Sequence, residues 1–415
     1  MPRSSLLRPL EEDWRDTLDA IARARGWPAS TDVARLAAQV EALSHAYNDP
    51  SRASAAIRDA GAARLGFSFA RDVPKGAAAV RELVATGALQ VGAGLRILDV
   101  GAGLGATTWG VVRALEAAGG SGIVEATWLD SDARALEVAS AIARAREGTG
   151  AIRLRVTTMH RPATGAFDAL PRFDLVLVGQ VLSELDVGAA DDARVARHAE
   201  LLATWLDRRV EPHGSLVVVE PALRDRSRHL HRVRDALVAS GATVFAPCLH
   251  AAPCPVLARE TDWCHEDLDV DLPAWLVPVA RAAGLRREGL TFSYLVLRKD
   301  GVTLASSVAV PASATRLRVV SGAIATKGKL ESFLCGELDR DGARVVARAR
   351  TMRLDRDRSP KSAAWDALAR GDVLVIDPAP DLDRPRIGSS STVARLEPGE
   401  MGRAPVSSSG DSKSR

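Results

Sequence analysis

At 415 residues the chain is long enough to bury a substantial core and to hold two or three domains. Apolar residues make up 47% of it, so most of it should fold, yet only 4% are aromatic and much of the apolar count is alanine, which favours helix and buries little area per residue. The formal net charge of +3 is too small to argue for a nucleic-acid partner by itself, and no stretch reaches transmembrane length, so the expectation is a cytoplasmic protein with no membrane partner.

Residues 1–89 read as a helical N-terminal region. Val33, Leu36, Val40 and Leu43 recur at helical spacing until Asn48-Asp49-Pro50 ends the pattern, and a second amphipathic segment follows over roughly 76–90. Residues 90–300 change rhythm. Strands are expected at Leu95–Val100, Glu125–Leu129, Ile152–Thr157, Phe173–Val178 and Ser215–Val219, with helices at 106–118, Ala133–Arg146 and Val195–Val210 between them. Beyond residue 235 a cysteine-bearing loop leads to a final strand at Phe292–Arg298. Strands alternating with helices predict an α/β fold with a mostly parallel sheet; joined to the glycine-rich turn at Gly101, Gly103 and Gly105 and the acidic strand ends at Asp99 and Asp130, the expectation is the Rossmann-like sheet of a class I S-adenosylmethionine methyltransferase. Residues 301–385 read as a small β-rich extension with strands at Leu317–Ser321 and Val345–Ala349 and a tight turn at Asp339-Arg340-Asp341-Gly342. From 386 to 415 the chain is rich in Ser, Pro and Gly and is expected to be disordered.

The string Asp99-Val100-Gly101-Ala102-Gly103-Leu104-Gly105 places a glycine-rich turn between a buried strand and a helix. Without β-carbons, Gly101, Gly103 and Gly105 let a ligand approach the backbone and the unpaired amides of the helix N-terminus. A dinucleotide fold would use a similar turn. Asp99, just before the turn, tilts the reading to S-adenosylmethionine, because a carboxylate there can reach the amino group of a methionine moiety. Asp130 closes the second strand and is expected to accept hydrogen bonds from ribose hydroxyls; Asp132 competes for that role, and Ser131 is placed to cap the next helix. After the Asp174 strand, Gly179-Gln180-Val181-Leu182-Ser183-Glu184-Leu185 forms a loop in which Gln180 can wall the cofactor pocket. Glu184 and Glu220 also lie near strand ends, where stabilising the fold is the simpler role. No Asn-Pro-Pro-Tyr or Asp-Pro-Pro-Tyr stretch follows the Asp174 strand, and no cysteine stands there to attack a pyrimidine, so no catalytic residue is named.

Three of the four cysteines, Cys248, Cys254 and Cys264, fall within seventeen residues, and Cys335 lies far along the chain. Four thiolates suffice for a tetrahedral zinc site or a four-iron, four-sulfur cluster. The intervals of five, nine and seventy residues suit the cluster better than the short pairs common at zinc, with ordinary buried cysteines as the remaining reading. His250 and His265 lie close by without being assigned as ligands.

Taken together, Leu98 to Gly105, Phe173-Asp174-Leu175-Val176 with Val181 to Leu185, Val218-Val219-Glu220-Pro221, the Ala-Pro-Cys to Asp-Trp-Cys-His segment and Phe292 to Leu297 carry a resemblance. Over roughly residues 35–375 the chain resembles the methyltransferase-like family associated with assembly of the small ribosomal subunit, known from mitochondria and also from bacteria. The resemblance implies that Cys248, Cys254, Cys264 and Cys335 hold a four-iron, four-sulfur cluster, and that the partner is the small ribosomal subunit or its precursor ribosomal RNA. Two places depart from the pattern: His265-Glu266-Asp267 lacks an aromatic residue after Cys-His, and Ala369-Arg370-Gly371-Asp372 lacks a tryptophan before Gly-Asp.

Local charge points the same way as the family. From Arg316 through Lys361 twelve Lys/Arg face six Asp/Glu, a net of +6. Arg316, Arg318, Lys327 and Lys329 are the candidate phosphate contacts, with Arg224, Arg226 and Arg228 as a second patch. Two alternatives remain beside an RNA methyltransferase: a non-catalytic RNA-binding assembly scaffold, and an enzyme that methylates a small molecule or a protein.

Overall fold

The computed structural model describes residues 6–48, 60–164 and 169–396. Two sheets organise them. The first contains β1 (Leu95–Val100), β2 (Gly122–Asp130), β3 (Ile152–His160), β4 (Phe173–Gly179), β5 (Val210–Glu220), β6 (Thr243–Ala246), β7 (Glu266–Leu268) and β8 (Leu290–Arg298). Its order is β3-β2-β1-β4-β5-β8-β6, with β7 paired to β8. Strands β1 to β5 pair in parallel, while β8 runs antiparallel between β5 and β6. This is the expected Rossmann-like sheet of the class I methyltransferases. The order reverses between β1 and β4, and that switch point is where open α/β sheets place their ligands.

The central strands form because their side chains are apolar on both faces. Ile97 and Leu98, Leu175 to Leu177, and Leu216 to Val218 are all fully buried, as a sheet covered by helices on both sides requires. Edge strand β3 instead alternates buried or half-buried apolar residues with exposed Arg153 and Arg155.

The helices are α1 (Glu12–Ala24), α2 (Val33–Asn48), α3 (Phe69–Ala85), α4 (Ala106–Ala117), α5 (Ala133–Ala145), α6 (Asp191–Arg209) and α7 (Arg224–Ala239), with a shorter one at Val277–Ala282. In α2 the stripe Leu36, Val40 and Leu43 is buried, as its spacing predicts; Asp49 and Pro50 lie outside the described residues. Helix α3 begins well before residue 76 and crosses α4 at close range. A β-carbon on Gly110 would lie 2.2 Å from the Val73 carbonyl oxygen, and one on Gly76 2.5 Å from that of Thr107. The expected break in rhythm after 235 is corrected: α7 runs to Ala239 and β6 completes the sheet before the cysteine segment begins.

The second sheet holds β9 (Thr315–Val319), β10 (Ile324–Thr326), β11 (Lys329–Arg340), β12 (Ala343–Leu354), β13 (Val373–Asp377), β14 (Arg386–Ile387) and β15 (Thr392–Arg395), in the order β14-β12-β11-β9-β13-β15 with β10 on β11. The turn joining β11 to β12 uses Asp341 at φ 53° and Gly342 at φ 82°, the left-handed pair a two-residue hairpin needs. Leu334, Trp365, Leu374 and Ile387 are fully buried in its core. The expectation of disorder from 386 is corrected as far as Arg395, because β14 pairs with β12 and β15 with β13. Residues 397–415 lie outside the described residues. Among the described residues no helix is long and apolar enough to cross a membrane.

Candidate functional site

A cavity of about 320 Å³ opens at the C-terminal ends of β1, β2 and β4. Gly101, Ala102 and Gly103 line it from the turn after β1, Asp130 from the end of β2 and Gln180 from the loop after β4. The glycines are required by backbone and space together. Gly101 sits at φ 68° and Gly103 at φ 54°, and a β-carbon on Gly101 would lie 2.3 Å from Val181 Cγ2. Gly105 serves packing instead. At φ 81° it precedes α4, and its missing β-carbon makes room for the Trp128 ring 2.7 Å away.

Asp130 faces the cavity while it braces the turn. Its Oδ2 accepts from Gly103 N at 2.7 Å and its Oδ1 from Asp132 N at 2.8 Å. Asp132 also reaches the cavity wall but is committed elsewhere, to an ion pair with Arg64 at 2.9 Å and to capping α5 through Ala135 N at 3.1 Å. Asp132 is thus the helix cap, the role expected of Ser131. Gln180, at φ 60°, donates from its backbone to Val219 O at 2.6 Å and from Nε2 to Asp72 Oδ2 at 3.0 Å. Burial alone would raise the Asp72 carboxyl, but the charges of Lys75 and Arg71 hold it down at about 2. Tyr47, Arg64 and Asp72 show that the N-terminal helices close one side of this cavity. Nothing in their local sequence marks them for that.

Asp99 is placed differently from its sequence reading. It is 1% exposed and is not in the cavity wall; its Oδ2 accepts from Thr108 Oγ1 at 2.7 Å and from Thr108 N at 3.3 Å, while Oδ1 has no partner. It therefore ties the start of α4 to the end of β1, one layer behind the ligand-facing glycines. Burial pushes its carboxyl up to about 7. The folded protein then holds a proton that the unfolded chain releases between about pH 4 and 7, so this contribution to stability is complete below about 4 and lost as pH rises through about 7. Asp99→Asn should accordingly gain stability relative to the parent as pH rises across that window, with a ceiling on the order of 4 kcal/mol. Urea unfolding at pH 5 and pH 8 checks it: a difference that does not grow with pH rejects the assignment. Glu220 is buried too, accepts from Leu182 N at 2.9 Å and Ser183 N at 3.2 Å, and is pushed up to about 7 by burial. It anchors the loop that carries Glu184, which lines the cavity.

The four cysteines come from four separate places and converge. Cys248 follows β6, Cys254 precedes the turn at Pro255–Ala258, Cys264 precedes β7, and Cys335 lies within β11 of the other sheet. All four are free and half-buried. Burial pushes the Cys254 and Cys264 thiols up to about 12 and the Cys335 thiol well above its usual range, and each is raised further by the neighbouring thiols, Cys335 by all three others. The segment is held by the buried Arg234, whose guanidinium donates to the carbonyls of His250 and Ala252 at 2.5 Å, and by Asp235, which accepts from Cys254 N at 2.9 Å. His250 Nε2 lies 3.8 Å from Cys335 Sγ. Among the described residues no three His, Cys, Asp or Glu side chains are gathered tightly enough to hold a single metal ion.

A family described as mitochondrial small ribosomal subunit Rsm22 matches residues 80–368, a span that takes in the glycine turn and all four cysteines. The chain belongs to that family. No individually curated protein matches it at a significant level. Among solved structures, a candidate class I S-adenosylmethionine-dependent methyltransferase of Listeria monocytogenes is 15% identical, covering 72% of this chain and 90% of its own, with a TM-score of 0.38. The plantazolicin methyltransferase BpumL in complex with SAH is 9% identical over 65% of this chain and 98% of its own, with a TM-score of 0.34. The [4+2]-cyclase SpnF is 18% identical over 55% and 82%, with a TM-score of 0.31. Scores this low carry no weight, and the fold rests on the strand order.

In this Rsm22-family chain the candidate RNA contacts separate by burial. Arg318 is 3% exposed and corrects its reading as a phosphate contact: it donates to Glu82, to Pro247 O at 2.9 Å and to Gly371 O at 2.8 Å. Arg316 is half-buried against Val308 O at 2.7 Å, and Lys329 is paired with Glu331 at 3.0 Å. Lys327 is exposed. In the second patch Arg224 is exposed, Arg226 donates to Tyr47 O, and Arg228 donates to the carbonyls of Arg259 and Asp262 at 2.7 Å each. The departures from the family pattern also find places: Glu266 pairs with Arg81 at 3.4 Å, and Arg370 donates to His265 O at 3.0 Å.

Proposed function

We propose that the protein binds S-adenosylmethionine in the cavity at the ends of β1, β2 and β4, holds a four-iron, four-sulfur cluster at its four cysteines, and acts in assembly of the small ribosomal subunit by methylating its RNA. The observation that carries the cofactor reading is the cavity itself, at the switch point, with the glycine turn, Asp130 and Gln180 on its wall. When bound, S-adenosylmethionine supplies a methyl group on a positively charged sulfur. The residues present fit the rest of that molecule. Gly101 and Gly103 admit it against the backbone, and Asp130, with both oxygens fixed by amides, is preorganised to accept from ribose hydroxyls. Gln180 closes the far side. Asp99 contributes by fixing the turn.

For the metal, the donor chemistry favours the cluster over zinc. Zinc draws its sulfurs to about 2.3 Å from one centre, whereas the corners of an iron–sulfur cube are spread further apart. Four thiols that raise one another's titration, drawn from places separated by five, nine and seventy residues of chain, support such a shared site. The family description links its members to the small ribosomal subunit, which supports that partner here. A cytoplasmic location is part of the proposal.

Calorimetry with S-adenosylmethionine tests the pocket. Gly101→Ala should weaken binding by about tenfold or more, or 1.4 kcal/mol and upward, because the added carbon meets both a left-handed backbone and Val181. Unchanged binding removes this placement. A second reading is favoured by one observation: the loop after β4 is Gly179-Gln180-Val181-Leu182, without the polar-Pro-Pro-aromatic stretch that holds many acceptor bases. The chain would then be an RNA-binding scaffold. Donor binding with no methyl transfer to immature small-subunit RNA would select it.

A further inference from the structure

A second, larger cavity of about 480 Å³ adjoins the first and shares Tyr47, Ser68 and Gln180 with it. We propose that this cavity receives a single unstacked nucleotide of an RNA strand, with its base laid on Trp263 and its flanking phosphates met by Arg226 and Arg286. The inference rests on the methyl-donor reading of the neighbouring cavity and names what would sit opposite the donor.

Trp263 is the observation that carries it. Buried tryptophan is the rule in this chain, yet this one remains 38% exposed at the cavity wall. Its orientation is fixed: Nε1 donates to Ala222 O at 3.1 Å, and one face stacks on His265 at 5.6 Å between ring centroids and 14° between planes. Arg370 in turn holds His265. A rigid aromatic face offered beside open space is what an unpaired base stacks on, and only a base drawn out of its helix can enter a pocket of this kind. Leu223, 45% exposed, lines the same cavity and adds an apolar lip.

Charge agrees. Among the described residues Arg71, Lys75, Arg226 and Arg286 line the cavity against one carboxylate, Asp271, a balance that suits a polyanion. Lys75 and Arg71 are held by Asp72 at the junction of the two cavities, whereas Arg286 pairs with Asp267 at 3.0 Å in an exposed setting and Arg226 donates to Tyr47 O, so a phosphate would take these two guanidinium groups from one exposed ion pair and one backbone carbonyl. The shared residue Gln180 then lies between the donor and the base, where it can orient either one.

The test uses the full-length protein with its metal and a short single-stranded RNA carrying one 2-aminopurine, read by fluorescence across a salt series. The single strand should bind more tightly than its duplex, with the fluorophore quenched by stacking. Trp263→Ala should weaken binding by about tenfold and leave the salt slope unchanged, while Trp263→Phe keeps most of the affinity. The Arg226→Ala, Arg286→Ala double variant should lower the slope by about 1.4, two phosphates at about 0.7 each. Trp263 adjoins Cys264, so Leu223→Glu, remote from the cysteines in sequence, provides an independent variant and should also weaken binding. Wild-type affinity in both Trp263→Ala and Leu223→Glu overturns the proposal, as does equal binding of duplex. Failure of any single strand to bind at low salt overturns it as well and leaves a protein acceptor as the occupant. Calorimetry with S-adenosylmethionine separates the two readings. Loss of RNA affinity in Trp263→Ala by a protein that binds no donor supports the nucleotide cavity and sinks the donor; donor binding with RNA affinity untouched by both variants does the reverse.

Discussion

Arg318→Ala should destabilise the folded protein by about 3–5 kcal/mol, the cost of leaving a buried charge without its partner. Arg318 and Glu82 are almost completely buried, and their ion pair joins β9 of the second sheet to α3 beside the first. Around them Tyr294 donates to Glu82 Oε2 at 2.9 Å, and Arg81 pairs with Glu266 at 3.4 Å. Two guanidinium groups and two carboxylates thus balance in one enclosed set. Burial alone would raise the Glu82 carboxyl, and the positive charges of Arg318 and Arg81 hold it below its usual range instead. Without Arg318, Glu82 must take up a proton or remain an uncompensated anion, and the carbonyls of Pro247 and Gly371 lose their donor. Urea unfolding at neutral pH measures the loss. Arg318→Lys keeps the charge but not the fork and should lose less. A loss under about 1 kcal/mol for the alanine variant would show that this network does not lock the two sheets together. RNA affinity per folded molecule should be unchanged, because Arg318 does not reach the surface.

That residue also shows where sequence reasoning stops. Lysines and arginines counted along 316–361 form a basic stretch on paper, but strand geometry sends alternate side chains to opposite faces, and β9 turns Arg318 inward toward Glu82, a partner 236 residues away. No local pattern announces that pairing. The first sheet was legible for the opposite reason: β1, β4 and β5 are buried on both faces and read as unbroken apolar runs. Helix α7 was harder to read because Arg224, Arg226, Arg228, Arg232 and Arg234 crowd its sequence, and its buried stripe reduces to Leu230, Val233 and Leu237. Strands β14 and β15, of two and four residues, are too short to show alternation within a Ser- and Gly-rich end. In the cavity, Gly101, Gly103, Asp130 and Gln180 were legible from their places at strand ends. Asp99 was read in the right neighbourhood but on the wrong side of the turn, since a sequence does not tell whether a strand-end carboxylate points to ligand or to Thr108.

Cys335→Ser should cut the iron content of anaerobically purified protein well below the about four irons and four acid-labile sulfides expected per chain. The physical reason lies in where the four sulfurs originate. Cys248, Cys254 and Cys264 belong to the segment between β6 and β7, tied down by Arg234, Asp235 and the hydrogen bond between His231 Nε2 and Cys264 O at 2.9 Å. Cys335 comes from the middle of β11, flanked in register by Arg318 of β9 and Arg348 of β12. A cluster held by all four would close a loop of seventy intervening residues and staple the second sheet to the first. Losing one corner should therefore loosen the whole β-rich region, read as faster hydrogen exchange over residues 315–395, more than it disturbs the segment carrying the other three. Other links would remain in the variant, among them the Arg318 to Glu82 pair, the 2.9 Å pair of Arg348 with Asp262 and the bond from Arg370 to His265 O at 3.0 Å, so the region should loosen without detaching. S-adenosylmethionine affinity should be unchanged, because the glycine turn and Asp130 share no hydrogen bond with the cysteine segment. Stoichiometric zinc and no iron in the parent protein would reject the cluster. Normal exchange in the variant, with no metal in the parent, would leave four ordinary thiols, and their shared burial would then be a cost to the fold with no ligand to offset it.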